Sequence, residues 1–362
     1  MLIDIETASP PYVVTQEKAA SELKKRMTGS NAASRLIDIA ALHSGIDNRA
    51  IVIPDAEQDA DEKFYSSNGS YISPDTKKRM NEYEKWAKIL TKNAVEKIIS
   101  KTNFPPEELN KMITISCTGF FAPGIDYYLI NEFNFPFEIK RMNIGFMGCA
   151  ASLIGMDSVL QAMSNSKESN TLLISVELCS LHLQTEPSRD NILANLIFAD
   201  GCAAALFSNS SKYNQEGKLD LIRTDSILFK DSSKYMGWKI GNSGFEMMLS
   251  SDLPRIILNE AVPALKKQFE EHDIDINSVK HWALHPGGRA ILDSLQSGLQ
   301  LPDAQMLPSR NVLKNFGNLS SASILYVLKE IMNSGRVKKG ELCCAVAFGP
   351  GLTMETALFR GL

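Results

Sequence analysis

A weak internal repeat is the feature that most constrains how this 362-residue chain can fold. Gly148-Cys149 begins a segment of small residues at 148–152, which precedes a helical stretch, a polar turn and an apolar strand. Gly317-Asn318 begins a similar segment at 317–321, which precedes the same series of elements. The offset between the two series is 169 or 170 residues throughout, and a strand ending at Cys117 matches the strand 279–284 before His285. This repeat predicts an α/β fold of two related halves that contain βαβ units and share one core.

The two halves are expected to join in a polar stretch near residues 210–225, which is rich in Ser, Asn and Lys. We therefore predict an N-terminal half at residues 1–219, which carries Cys149, and a C-terminal half at residues 220–362, which carries His285 and Asn318.

The first 75 residues are expected to form an irregular lead-in with one helix, which Thr15 caps and Gly29 ends. Residues 55–73 are polar and are typical of a surface loop. Ser73-Pro74-Asp75 then opens a longer amphipathic helix, because proline and an acid are favoured in a first helical turn.

Charge and hydropathy exclude several classes of partner. The formal net charge is −4, which argues against nucleic acid or an anionic membrane surface. No apolar run approaches the roughly 18 residues of a membrane helix, and the N-terminus lacks the features of a secretory signal. We expect a cytoplasmic protein.

Six cysteines and five histidines are present, without a C-x-x-C pair. The cysteines are expected to be reduced thiols, and a structural metal site has little support. Most of them lie in apolar stretches, where a cysteine usually acts as a small buried hydrophobe.

Three residues stand where a strand gives way to a loop or helix: Cys149, His285 and Asn318. Active sites of α/β sheets form at such edges. A cysteine at a helix N-terminus with a nearby histidine gains thiolate character, and an asparagine amide can donate to an oxyanion. Taken singly, these residues are more typical of packing, a turn and a helix cap, but their related positions in the two halves favour an acyl-transfer site.

Four segments carry a family resemblance: Gly-Phe-Met-Gly-Cys ending at Cys149, residues 284–288, residues 317–321 and residues 348–355. They resemble the type III polyketide synthases, the chalcone synthase-like enzymes of the thiolase superfamily. The resemblance covers roughly residues 10–360, and its most specific element is Gly-Pro-Gly-Leu-Thr at residues 349–353.

The resemblance implies a duplicated thiolase-like αβαβα layered fold and a homodimer that needs no metal or prosthetic group. It implies that Cys149 receives an acyl group from a CoA thioester and that malonyl-CoA then extends it by decarboxylative Claisen condensation. His285 and Asn318 would stabilise the enolate formed on decarboxylation, and His285 would keep Cys149 ionised.

The resemblance also identifies residues of the substrate pocket. Phe198 and Phe245 match two aromatic gatekeepers between a CoA tunnel and an inner cavity. Cys179 and His182 fall in a segment that lines this cavity, and Ala122 stands where plant members place a methionine that reaches into the partner subunit. An apolar rim of this kind excludes water and favours loss of a carboxylate as CO₂.

The segment that binds the CoA phosphates in plant members has few cations here. Arg289, Lys24, Lys25 and Arg26 are candidates to replace them, although each is also typical of a solvated surface charge.

Two alternatives stay open from the sequence. One is a β-ketoacyl synthase III-like enzyme that performs a single condensation with a carrier protein, against which residues 349–353 argue. The other is a catalytically silent homologue that acts as a partner subunit, against which the intact Cys, His and Asn set argues. The expected product class is a resorcinol, phloroglucinol or pyrone type.

Overall fold

The computed structural model describes residues 1–27, 31–56, 63–67, 70–213 and 217–362. The strands are β1 Leu2–Ala8, β2 Tyr12–Thr15, β3 Asn48–Ile51, β4 Ser66–Ser67, β5 Ser70–Tyr71, β6 Lys111–Ser116, β7 Lys140–Gly145, β8 Asn170–Leu178, β9 Asp200–Ser208, β10 Leu219–Leu228, β11 Met236–Gly241, β12 Gly244–Leu249, β13 Val279–Leu284, β14 Leu342–Gly349 and β15 Thr353–Gly361. The helices are α1 Gln16–Arg26, α2 Asn31–Leu42, α3 Thr76–Thr102, α4 Ile125–Phe133, α5 Ala151–Asn165, α6 Arg189–Ile197, α7 Leu253–Ile256, α8 Val262–Glu271, α9 Arg289–Leu299, α10 Asp303–Phe316 and α11 Ser323–Asn333.

A nine-stranded sheet with the order β13-β14-β15-β10-β1-β9-β8-β6-β7 forms the centre of the fold. β1 and β10 meet in the middle, where Leu2 lies opposite Leu219. Outward from this junction, β9, β8 and β6 on one side have the same relative directions as β15, β14 and β13 on the other. The strand order confirms that the fold is duplicated, and β7 is an additional edge strand.

Helices α5 and α11 lie between the two halves of the sheet. α5 packs on β6 and β8 of one half and on β10, β14 and β15 of the other, and α11 packs on β1 and β9 as well as on β13 and β14. Both helices bury apolar side chains in one shared cluster. The 3₁₀ turns that precede them, Gly148–Ala150 and Ser320–Ala322, contact each other, which brings corresponding edges of the two halves together.

The N-terminal region is more ordered than the sequence predicts. Thr15 caps α1 by accepting from the Lys18 amide, as expected, whereas the predicted end at Gly29 lies outside the described residues. The expectation of an irregular lead-in is wrong, because β1 stands in the middle of the sheet. Asp4 and Glu6 interrupt the apolar pattern that would indicate a buried strand, and both carboxylates pair with Lys101.

The long helix α3 begins as predicted, with the Asp75 carboxylate accepting from the Lys78 amide at 2.7 Å. The preceding stretch is only partly a surface loop. Phe64 and Tyr65 are buried, and their amides donate to the Asp55 carboxylate. Residues 57–62, 68 and 69 of the stretch lie outside the described ranges, as do residues 214–216 of the predicted join.

No helix within the described ranges is long and apolar enough to cross a membrane. In the same part of the chain, no group of three or more His, Cys, Asp or Glu side chains is arranged to hold a metal ion. All six cysteines are buried free thiols.

Candidate active site

Cys149 lies in the tight turn between β7 and α5. Phe146 and Gly148 have φ values of 58° and 62°, and the Gly148 backbone packs so closely on Pro350 that a Cβ would lie 2.4 Å from the proline Cδ. A glycine is therefore required before the cysteine. The Cys149 side chain is almost buried, with Sγ 3.8 Å from Ser320 Oγ.

His285 follows β13 directly. Its backbone amide donates to the Val346 carbonyl at 2.9 Å, which fixes the residue on the neighbouring strand β14. Both ring nitrogens are buried, and neither has a hydrogen-bond partner among the described residues. Unpartnered buried nitrogens of this kind are costly in an apolar interior, and a substrate oxygen could satisfy one of them.

Asn318 follows Gly317, where α10 has ended, and its amide has a defined orientation. Oδ1 accepts from the Ser320 amide at 2.8 Å, and Nδ2 donates to the Gly287 carbonyl at a longer 3.3 Å. The Ser320 amide identifies the oxygen end, so that the NH₂ group is the end available to a ligand.

One cavity of about 370 Å³ brings these three side chains together. Cys149, His285 and Asn318 line it together with Phe198, and the remaining lining is largely apolar. The structure therefore places the three predicted residues at one cavity.

Burial is the largest influence on the pKa values of Cys149 and His285. It raises the pKa of Cys149 to about 12, although hydrogen bonds from Ser320 and Asn318 act in the opposite direction. It lowers the pKa of His285 to about 3. Burial thus favours the uncharged forms of both groups, whereas the sequence predicts a thiolate–imidazolium pair.

A second cavity of about 110 Å³ lies on the other side of Phe198, which lines both. Cys179 and His182, the predicted pocket residues, line this second cavity. Phe245, predicted as a gatekeeper with Phe198, lines it as well but does not line the Cys149 cavity. The His182 ring stacks on Phe245 with centroids 4.2 Å apart. Its Nε2 donates to the Thr118 carbonyl and its Nδ1 accepts from the Phe245 amide, so only the ring face is available to a ligand.

The predicted cations and Ala122 differ in whether they reach the Cys149 cavity. Arg289 lines it, but Arg26 lines the second cavity and pairs with Asp55 at 3.1 Å. Lys25 pairs with Glu22 on the surface of α1, and Lys24 pairs with Asp38. Ala122 is exposed and lines neither cavity of its own chain.

Two family models match adjoining parts of the chain. The model "Chalcone and stilbene synthases, C-terminal domain" matches residues 221–362, and "FAE1/Type III polyketide synthase-like protein" matches residues 60–235. The chain belongs to the type III polyketide synthase family. It is accordingly an acyltransferase, with the thiolase-like fold of that family.

Relatives of this type III polyketide synthase match most of its length. The 1,3,6,8-tetrahydroxynaphthalene synthase of Streptomyces coelicolor is 28% identical, covering 96% of this chain and 89% of the relative. The "Alpha-pyrone synthesis polyketide synthase-like Pks18" of Mycobacterium tuberculosis is 26% identical over 78% of this chain and 72% of the relative.

Solved structures of the family superimpose on the whole fold. PKS-I from the brown alga Ectocarpus siliculosus gives a TM-score of 0.92 at 27% identity, covering 100% of this chain and 98% of the other. The Streptomyces coelicolor tetrahydroxynaphthalene synthase gives 0.86 at 27% identity, covering 99% of each chain.

Sequence reasoning missed two residues of this polyketide synthase. The Glu177 carboxylate is fully buried beside the site, where it accepts from the Cys117 amide and the Thr118 hydroxyl, and burial raises its pKa to about 7. A lone acid in the apolar run 172–178 was the available signal. Arg189 lines the Cys149 cavity beside Arg289, and nothing in its local sequence marks it.

Proposed function

We propose that this chain loads an acyl-CoA starter on Cys149 and extends it repeatedly with malonyl-CoA by decarboxylative Claisen condensation. One observation carries the proposal: Cys149, His285 and Asn318, from related positions of two halves, line a single largely apolar cavity. A nucleophile, a proton carrier and a neutral hydrogen-bond donor are what acyl transfer requires.

Loading begins with both Cys149 and His285 neutral. The thiol proton passes to an unpartnered His285 nitrogen as Sγ attacks the thioester carbonyl. The tetrahedral intermediate then collapses, the bond to the CoA sulfur breaks, and the leaving thiolate takes the proton back from His285. The products are S-acyl Cys149 and free CoA.

Extension begins when malonyl-CoA replaces CoA in the cavity. The bond to its carboxylate carbon breaks, CO₂ leaves, and the electron pair forms an enolate of the CoA thioester. The Asn318 NH₂ group and a protonated His285 nitrogen donate to the enolate oxygen, and the Ser320 amide keeps the Asn318 NH₂ directed at the ligand. The enolate carbon attacks the acyl carbonyl, the carbon–sulfur bond to Cys149 breaks, and Cys149 leaves as a thiolate. For the next round this thiolate attacks the thioester of the resulting β-ketoacyl-CoA, and the released CoA thiolate takes a proton from water.

Phe198 and Phe245 are proposed as the aromatic wall between the two cavities, with Cys179 and His182 beyond it. The largely apolar lining of the Cys149 cavity supports exclusion of water from the thioester. Cyclisation to a resorcinol, phloroglucinol or pyrone-type product follows in this proposal, since names of relatives include a naphthalene and a pyrone synthase.

Arg289 and Arg189 are proposed to bind the CoA phosphates, because both line the Cys149 cavity and remain accessible. Neither metal nor prosthetic group enters the proposed reaction. The division at residues 219 and 220 stays a proposal, in which each half supplies one side of the site.

A homodimer is proposed from the exposed edge strand β7. Met142 on this strand is 40% exposed, and the neighbouring Phe120 and Phe137 are 57% and 80% exposed. A second copy that covers these side chains would also bring Ala122 near a partner cavity. Light scattering of the purified chain tests the assembly, and a monomer at micromolar concentration would contradict it.

The test of the activity is incubation with an acyl-CoA panel and labelled malonyl-CoA, without carrier protein. Mass spectrometry should find an acyl adduct on Cys149 and products from several extensions. Cys149→Ala should lose the adduct, whereas Cys343→Ala, a core thiol on β14, should retain it. A single condensation that needs carrier protein would favour the synthase III alternative, and an adduct retained in Cys149→Ala would refute the assignment.

A further inference from the structure

The C-terminal end of α6 is held by donors from outside the helix. The last carbonyls of a helix lack intrahelical partners, and α6 ends immediately before Phe198. Arg49 supplies two of the missing bonds: its Nη1 donates to the Asn195 carbonyl at 2.7 Å and to the Phe198 carbonyl at 2.8 Å. A guanidinium at this end also matches the negative pole of the helix dipole.

The two carbonyls between these are held as well. Gln16 Nε2 donates to the Leu196 carbonyl at 2.9 Å, and the Asn318 backbone amide donates to the Ile197 carbonyl at 3.0 Å. All four carbonyls of residues 195–198 therefore have a donor, and the donors come from β3, α1 and the loop after α10.

Burying the Arg49 guanidinium at the end of α6 costs free energy of desolvation. Its side chain is buried, its Nε has no partner in the described part of the chain, and burial lowers its pKa to about 10. Gly317 makes the room, because a Cβ there would lie 2.9 Å from Arg49 Cγ. The hydrogen bonds that Arg49 makes within the described ranges go to the Asn195 and Phe198 carbonyls, and bonds from a charged donor are the strong ones.

We propose that Arg49 and Gln16 are positioning residues that fix Phe198 between the two cavities. This inference rests on the proposed function, in which Phe198 is the aromatic wall. Releasing the end of α6 would let Phe198 move and join the cavities. Water could then protonate the enolate carbon, so that malonyl-CoA yields acetyl-CoA and CO₂ instead of an extended chain.

The experiment measures acetyl-CoA released per condensation, together with hydrogen–deuterium exchange of residues 195–200. Arg49→Met should raise the ratio about tenfold, the effect of losing hydrogen bonds from a charged group. Arg49→Lys should raise it less, because an ammonium keeps the charge but reaches less far. Gln16→Met should raise it about threefold, since it removes one neutral donor. Each variant should exchange faster at residues 195–200.

Phe269→Leu is the matched control, because it weakens the core around α8, which is a different cluster from the one that holds the α6 side chains Ile192 and Leu196. It should lower the melting temperature and leave both readouts unchanged. The inference is overturned if Arg49→Met leaves the ratio and the exchange unaltered, or if Phe269→Leu alters them equally. If the wild-type chain forms no condensation product but hydrogen–deuterium exchange at residues 195–200 still rises in Arg49→Met, the proposed function is wrong. The inference that Arg49 holds the end of α6 is then still supported.

Discussion

Phe198 and Asn318 form an isolated parallel β-bridge across the two halves of the fold. The Asn318 amide donates to the carbonyl before Phe198, and the Ala199 amide donates to the Asn318 carbonyl at 2.9 Å. The aromatic wall and the proposed enolate donor are thus joined through the backbone. A displacement of one is expected to displace the other, which couples the boundary of the cavity to its chemistry.

Replacing the Asn318 amide by a carboxylate should abolish enolate stabilisation without loss of the fold. In Asn318→Asp an oxygen can still accept from the Ser320 amide, but the NH₂ donor is gone. Decarboxylation of malonyl-CoA should fall by about 10²- to 10³-fold. Asn277→Asp, in an exposed turn, is the control. Release of ¹⁴CO₂ at the wild-type rate from Asn318→Asp would remove Asn318 from the mechanism.

The pH dependence of alkylation should distinguish a neutral thiol from an ion pair at Cys149. With the pKa of Cys149 raised to about 12, inactivation by iodoacetamide should accelerate about tenfold per pH unit between pH 6 and 9. Identification of the alkylated residue by mass spectrometry checks the site. A rate that is constant over this range would mean that His285 holds the thiolate at neutral pH.

Glu177 should make the protein less stable as the pH rises. Its pKa of about 7 in the folded chain lies above the usual 4.5 of a glutamate, so between these pH values the unfolded chain releases a proton that the folded chain retains. The free energy of unfolding should therefore fall by about 3 kcal/mol from pH 4.5 to pH 7 and then level off.

In Glu177→Gln the free energy of unfolding should not show this fall between pH 4.5 and pH 7, as measured by urea unfolding at several pH values. The difference between the two proteins isolates Glu177 from Asp200 and Glu355, whose pKa values are also raised by burial. Parallel pH profiles for wild type and variant would show that Glu177 does not retain its proton.

Gly148 should be irreplaceable for both steric and conformational reasons. Gly335 is the matched control, since its φ of 64° is similar but a Cβ there would meet nothing within 4 Å. Gly335→Ala should cost about 1 kcal/mol from the left-handed backbone alone. Gly148→Ala should cost about 2–4 kcal/mol, because the new Cβ also meets Pro350, and it should impair acylation of Cys149. Equal melting temperatures for the two variants would contradict the close contact.

The repeat allowed much of the fold and the three central residues to be predicted. Corresponding strands follow from apolar runs such as residues 342–346, and the turns before α5 and α11 follow from their small residues. Strand β1 could not be recognised in this way, because Asp4 and Glu6 are paired by Lys101 from α3, a partner 95 residues or more away. Local pattern carries no information about such distant charges.

By itself, the sequence determined that two related halves exist and that Cys149, His285 and Asn318 occupy corresponding strand ends. Only the tertiary structure decided how burial shifts the pKa values of Cys149 and His285, because burial depends on every element around the cavity. It likewise separated Arg289, which lines the Cys149 cavity, from Arg26, which lies beyond Phe198 with Asp55. Desolvation and the position of α6 arise from contacts between distant segments, whereas spacing along the chain reports only local structure.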